Sequence, residues 1–237
     1  MNLEFASLFT GIGGIDLGFE HAGWTCVLQV ENHPFARRVL RKHWPHVLRQ
    51  HDVNFARIPQ RIGALVGGFP CQDLSSANVK GRERLQGKQS GLWAAFKHCI
   101  VQAQPEWVVI ENVGKTWRDW MPRVRRDLWR RGYASVPFLV RAADVGAPHE
   151  RLRGWVVAAH ADRHGESIMC FHAKVAELYE TARPRWPYRW QPPSCALGVV
   201  DGIPNRMDRL HVVGNAVVPQ IPTLFALAIK ELVHAQP

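Results

Sequence analysis

Short apolar runs alternate with longer half-apolar stretches along the first two thirds of the chain. LEFASL (3–8) reads as a strand, FTGIGG as a glycine loop, and IDLGFEHAG as a short helix ending near Gly23. WTCVLQVE reads as a second strand. Asn32, His33 and Pro34 then supply a polar cap and an early proline that start a helix over FARRVLRKHW. Further strands are predicted at ALVGG, WVVIEN, ASVPFLV and GWVVAA, with helices at 91–103 and 117–131. Strands alternating with helices imply an α/β fold built on a mostly parallel, doubly wound sheet. Such sheets bind ligands at the carboxyl ends of their strands. FTGIGG, VEN, GGFPCQ and IENV all fall there, so four motifs converge on one cleft.

The alternation lapses after His160. ADRHGESIMC and RPRWPYRWQPP offer many prolines and no clear element, so 160–212 reads as a small irregular region. In the closing PQIPTLFALAIKELVHA, Ile221, Leu224, Phe225, Ala228 and Leu232 share one helical face, predicting a helix that packs back on the first domain. The expected divisions are 1–159, 160–212 and 213–237, with no internal repeat or low-complexity tract.

Composition narrows the class. At 237 residues and 46% hydrophobic, the chain sustains one large domain, or one domain with a small appendage. Thirty Lys and Arg against 20 Asp and Glu leave a formal +10, which favours a polyanionic partner such as nucleic acid. Five scattered cysteines with no CxxC spacing argue against a disulfide framework or zinc ribbon and fit a reducing cytoplasm. No basic segment followed by a long apolar core stands near Met1, and no 18-residue apolar run occurs, so neither an export signal nor a membrane span is expected.

The residues at the strand ends suggest chemistry. Gly11, Gly13 and Gly14 form the glycine loop, but Asp16 stands where the dinucleotide fingerprint needs its third glycine, which disfavours NAD. Glu31, 20 residues after Gly11, is placed to accept hydrogen bonds from two ribose hydroxyls. A nucleoside with no phosphate to cradle suits this pattern; a plain tight turn is the alternative reading. Cys71 follows a strand and a GG turn, which puts its thiol at a mouth, although a lone cysteine also serves as a small buried hydrophobe. A redox role would want a resolving partner, and none lies nearby in sequence.

Glu111 ends an apolar strand, where a partly desolvated carboxyl group can stay protonated and donate to a ring nitrogen; capping the next helix is the alternative. In HERLR, Arg151 and Arg153 alternate along an extended segment and share a face suited to a phosphate, a carboxylate or a pyrimidine carbonyl, or to solvent alone. His160, His164, Cys170 and His172 match no common zinc spacing, and no metal is expected. KTWRDWMPRVRRDLWRR, with seven basic residues, two acids and three tryptophans, is either a phosphate-touching helix or an amphipathic helix with tryptophan in the core.

Taken in order, SLFTGIGGIDLGF, VEN, HDV, GGFPCQDLS, SGLW, IENV, ADVGAPHERLR and GNAVVPQ resemble the cytosine-5 DNA methyltransferases over residues 3–158 and 210–232. The resemblance implies a Rossmann-like, S-adenosylmethionine-dependent methyltransferase that flips its target cytosine out of double-stranded DNA. It implies that Cys71 attacks the base, with Glu111, Arg151 and Arg153 beside it. Phe9, Gly11, Gly13, Gly14, Glu31, Asn32, Asp52, Pro70, Leu92, Asn215 and Val217 would surround the cofactor. Ser75, Lys80, Arg82 and Arg84, on a stretch closing over the base, and Arg185 and Arg189, in a short target-recognition region, would meet the DNA. His149 stands where the family's QxRxR motif has glutamine, and the region between HERLR and GNAVVPQ is far shorter than in full-size members. A cytoplasmic, DNA-associated monomer is expected. The alternatives are tRNA methylation on the same fold, a DNA-binding homologue without turnover, and a catalytic half that borrows recognition from a partner chain.

Overall fold

A computed structural model of the chain describes residues 2–70, 90–182 and 206–235. Seven strands, β1 (Glu4–Leu8), β2 (Thr25–Val30), β3 (Leu48–Gln50), β4 (Ala64–Gly68), β5 (Trp107–Val113), β6 (Tyr133–Arg141) and β7 (Leu152–His160), form one sheet in the order β3-β2-β1-β4-β5-β7-β6. Adjacent strands pair in parallel from β3 through β5, whereas β7 runs antiparallel to both its neighbours. The reversal follows from chain length. Residues 142–151, between β6 and β7, are too few for a crossover helix, so the chain turns straight back. β3, only three residues long and carrying an exposed Leu48, had no alternation to betray it.

The central strands are buried on both faces, which is why they read as continuous apolar runs. On β5, Trp107 and Val109 enter one core cluster and Val108 and Ile110 the other; β7 divides Trp155 and Val157 from Val156 and Ala158 in the same way. The helices α1 (Gly14–His21), α5 (Ala161–Ala182) and α7 (Gln220–His234) cover the first face. On the opposite face lie α3 (Ser90–Ala103) and α4 (Trp117–Trp129), while α2 (Pro34–His43) follows β2, and α6 (Arg206–Asn215) precedes α7. On α4, Trp120, Val124 and Leu128 are buried while Trp129 is exposed, so this basic stretch is an amphipathic helix with tryptophan in its core.

Helix α5 corrects the irregular reading of residues 161–182. Ile168, Phe171, Val175 and Leu178 repeat at helical spacing, and all but Val175 are buried against the sheet and α7. Interspersed histidines and Gly165 disguised that face. The backbone kinks at His164, whose ring meets Glu106 at 3.1 Å. The histidines of this region serve separate partners: His160 lies near Asp162, and His172 contacts the Pro137 carbonyl and stacks on Phe138.

Helix α7 is fastened from several sides. Phe225 touches Phe138, Trp155 and Phe171, and Trp24 donates its indole N–H to the Ala226 carbonyl at 3.2 Å. Phe225→Ala should therefore destabilise the chain by about 3–5 kcal/mol, whereas Met169→Ala, on the exposed side of α5, should stay within about 0.5 kcal/mol. Urea unfolding of the two variants checks the contrast.

Candidate active site at the carboxyl edge of the sheet

The turn leaving β1 is held in an unusual backbone conformation, with Phe9 at φ 52° and Gly11 at φ 59°. At Gly11 a side chain would project into open space, so the missing Cβ leaves a ligand access to the backbone. Glu31, at the exit of β2, supports this turn from below. Its carboxylate accepts the Gly11 N–H and the His33 N–H, each at 2.7 Å. A carboxylate offers about four acceptor sites, so two remain for a ligand's hydroxyls.

Beneath the loop, Asp16 is completely buried and accepts hydrogen bonds from the Ser7 hydroxyl at 2.8 Å and the Gln29 amide at 2.9 Å. The Cys26 thiol adds a longer contact at 3.5 Å, and burial pushes that thiol's pKa up, so it remains protonated and able to donate. Burial also pushes the Asp16 carboxyl up to about 6 against the pull of these donors. The residue that breaks the dinucleotide fingerprint is thus the anchor that joins α1 to β1 and β2.

A second carboxyl group faces the loop across the cleft. Glu111, near the end of β5, is buried, and its Oε1 lies 2.8 Å from Arg153 Nε on the neighbouring β7. Burial raises its pKa to about 7, only partly offset by Arg153 and Arg151. Gly68 on β4 makes room for it, since a Cβ at that position would come within 2.4 Å of Glu111 Oε2. Arg151 turns elsewhere and donates from Nη1 to the Gly214 carbonyl at 2.5 Å, while its Nε and Nη2 are buried with no hydrogen-bond partner among the described residues.

One cleft brings together Phe9, Gly11, Gly14, Glu111, Asn215 and Val217, with Glu31 directly behind Gly11. Other candidates stand apart from its lining. Gly13 faces Trp44 and Leu40. Asn32 and Pro70 are exposed, and Leu92 packs on the second core cluster. Asp52 is occupied with Asn54, accepting from its backbone N–H at 2.9 Å and its side-chain amide at 2.8 Å. Cys71, Ser75, Lys80, Arg82, Arg84, Arg185 and Arg189 lie outside the described residues.

Asn112 belongs to the site although its place in the sequence does not announce it. It is buried beside Glu111, donates its amide to the Phe69 carbonyl at 3.0 Å and accepts the Val113 N–H at 2.7 Å. Phe69 itself is wedged between Trp93 and Trp120. The backbone two residues before Cys71 is thereby tied to the strand that carries Glu111. A polar residue ending an otherwise apolar strand was the available signal.

Residues 3–189 match the family described as C-5 cytosine-specific DNA methylase. The type II methyltransferase M2.BsuMI of Bacillus subtilis is 39% identical over 170 residues, which cover 66% of this chain and 42% of that protein. The type II methyltransferase M1.HphI of Haemophilus parahaemolyticus is 31% identical over 166 residues, covering 65% and 45% respectively. The chain thus spans less than half the length of these two relatives. Among solved structures, the Entamoeba histolytica methyltransferase EhMeth aligns with a TM-score of 0.57 at 15% identity, over 67% of this chain and 53% of that one, which is a likeness of fold.

Removing the Asn112 amide would leave the Phe69 carbonyl unpaired in the interior. Asn112→Ala should therefore lower stability by about 1–3 kcal/mol in chemical denaturation. It should also speed proteolytic cleavage after residue 70 relative to cleavage elsewhere, because the tie that holds this turn is gone.

Proposed function

This chain belongs to the C-5 cytosine-specific DNA methylase family, and from that premise we propose that it methylates C5 of cytosine in double-stranded DNA through a covalent adduct between Cys71 and a flipped-out base. The observation that carries the proposal is the buried Glu111–Arg153 pair, which faces the same cleft as the Glu31-supported glycine loop.

The cleft suits S-adenosylmethionine. Among the described residues its glycine-lined wall carries no cationic side chain to meet a phosphate, Glu31 retains acceptor capacity for two ribose hydroxyls, and Phe9, Asn215 and Val217 form the walls. Asn32, Asp52, Pro70, Leu92, Gly13 and Gly14 complete the proposed cofactor set, with Asp52 directed to the adenine amino group. When bound, the cofactor supplies an electrophilic methyl group. The chain's own residues make the base able to accept it.

Cytosine C5 is a weak nucleophile. Addition of the Cys71 thiolate to C6 forms a C–S bond and pushes electron density toward C5. Protonated Glu111 donates to N3 and stabilises the charge that develops there, while Arg153 holds both Glu111 and the base carbonyl. After methylation a base removes the C5 proton, the electron pair restores the ring double bond, and the C6–S bond breaks. Extracting the base from the duplex costs a few kcal/mol, to be met by contacts from Ser75, Lys80, Arg82 and Arg84. Arg185 and Arg189, between α5 and α6, are the proposed contacts for target reading.

A duplex carrying 5-fluorocytosine should trap a denaturant-resistant complex with the native enzyme and none with Cys71→Ser, because fluorine cannot leave C5 as a proton does. Methylation of tRNA but not of duplex would overturn the substrate assignment. Glu111 supplies a pH signature as well. Its protonated fraction falls as pH rises through about 7, so the transfer rate should decline above that point. Glu111→Gln should lose about 10²-fold or more in rate and lack that decline, as single-turnover assays across pH would show.

A further inference from the structure

One dense run of positive charge lies outside the lining of the cleft. Residues 32–61 hold seven Lys and Arg against one acid, Asp52, within a chain whose formal net charge is +10. The structure gathers these cations at the β3 edge of the sheet. Arg37, Arg38, Arg41 and Lys42 follow one another around the outer face of α2, opposite the buried Ala36 and Leu40. Arg49 lies on β3, and Arg57 is strapped to that strand by paired hydrogen bonds with Gln50, at 3.0 Å and 2.9 Å.

Among the described residues, no carboxylate pairs with the α2 cations, and Arg38 lies over the Phe35 ring. Among the described residues, Arg38, Arg41 and Lys42 are exposed and make no ion pair, and Arg37 meets only the ring of His51. Arg49 is the exception: its guanidinium donates to Gln29 and to the carbonyls of Leu40, Trp44 and Pro45, so it clamps the end of α2 onto β3. The other basic helix, α4, differs in carrying two acids, Asp119 and Asp127, among its arginines, and Asp127 pairs with Lys97. On β3 and in the turn after it, Leu48 and Phe55 are 62% and 82% exposed. Unpaired like charges repel one another, and a polyanion laid across them relieves that repulsion while releasing its own counterions.

We infer that the outer face of α2, with the β3 edge and the turn through Arg57, is a second docking surface for the phosphate backbone of duplex DNA, separate from the catalytic cleft. The inference rests on the DNA reading above, and it assigns the surface a sequence-independent hold on duplex flanking the target.

The probe is a dA·dT duplex, which contains no cytosine for the cleft to take. With the full chain and no cofactor, Arg38→Gln/Arg41→Gln/Lys42→Gln should bind this duplex about tenfold more weakly at low salt. The slope of log affinity against log salt should shrink by about 2.7, from three phosphate contacts at about 0.9 each. The single reversal Arg41→Glu, on the exposed face, should weaken binding in the same direction and serves if the triple variant unfolds. Unchanged affinity and slope in a folded variant would overturn the inference. So would tighter binding of tRNA or of phosphatidylserine vesicles than of duplex, with the same dependence on these residues. A native chain that binds the dA·dT duplex through these residues yet never methylates cytosine would refute the catalytic reading and uphold this one.

Discussion

Three carboxyl groups are buried at or just beneath one edge of a single sheet, and the cost of removing them from water shapes everything around them. An unpaired buried charge is expensive, so each must be hydrogen-bonded, ion-paired or protonated. Glu31 is met by two backbone N–H groups, which fixes the path of the glycine loop. Asp16 is met by Ser7, Gln29 and Cys26, which fixes the start of α1 against β1 and β2. Glu111 is met by Arg153 from the reversed strand β7, yet burial still holds its pKa well above the usual carboxylate range. The solutions differ in polarity and therefore in use. Backbone donors make a rigid acceptor that can still receive hydroxyls, whereas a single guanidinium opposed by deep burial leaves a proton available for exchange.

The arrangement depends on β7 running against its neighbours. The antiparallel register places Arg153 opposite Val113 and Trp155 opposite Glu111, so the guanidinium needs to reach back only two residues along the ladder. A parallel strand in that position would need a long crossover and would deliver its own carboxyl end to the edge. The ten-residue turn from β6 thus brings an arginine from the beginning of a strand to the same edge where parallel strands end. Asn112 extends the logic to the segment approaching Cys71, which it ties to β5 through one carbonyl.

Much of this was legible because apolar runs and strand-end polar residues are local signals. Strands β1, β2, β4 and β5 announced themselves by composition, and Glu31 and Glu111 by standing where those runs stop. What escaped notice depended on distance in sequence or on masking. Asp16 looked like a defect in a glycine motif because its partners Cys26 and Gln29 lie 10 and 13 residues away. Asn112 was overshadowed by its neighbour, since nothing in the string IENV tells that its amide will meet Phe69. The helical face of α5 was broken up by histidines, and β3 was too short to show a period.

The hydrogen bond from Arg151 to the Gly214 carbonyl joins two points 63 residues apart in the chain. Between them lie β7 and α5, and α5 packs on α7, which follows the second point. Closing a loop twice as long costs only about 0.6 kcal/mol more in chain entropy. Chain entropy alone therefore sets little limit on the length of chain between these two points. The arginine clasp thus works like the neck of a purse, fixing where the chain leaves the sheet and where it rejoins it whatever length lies between.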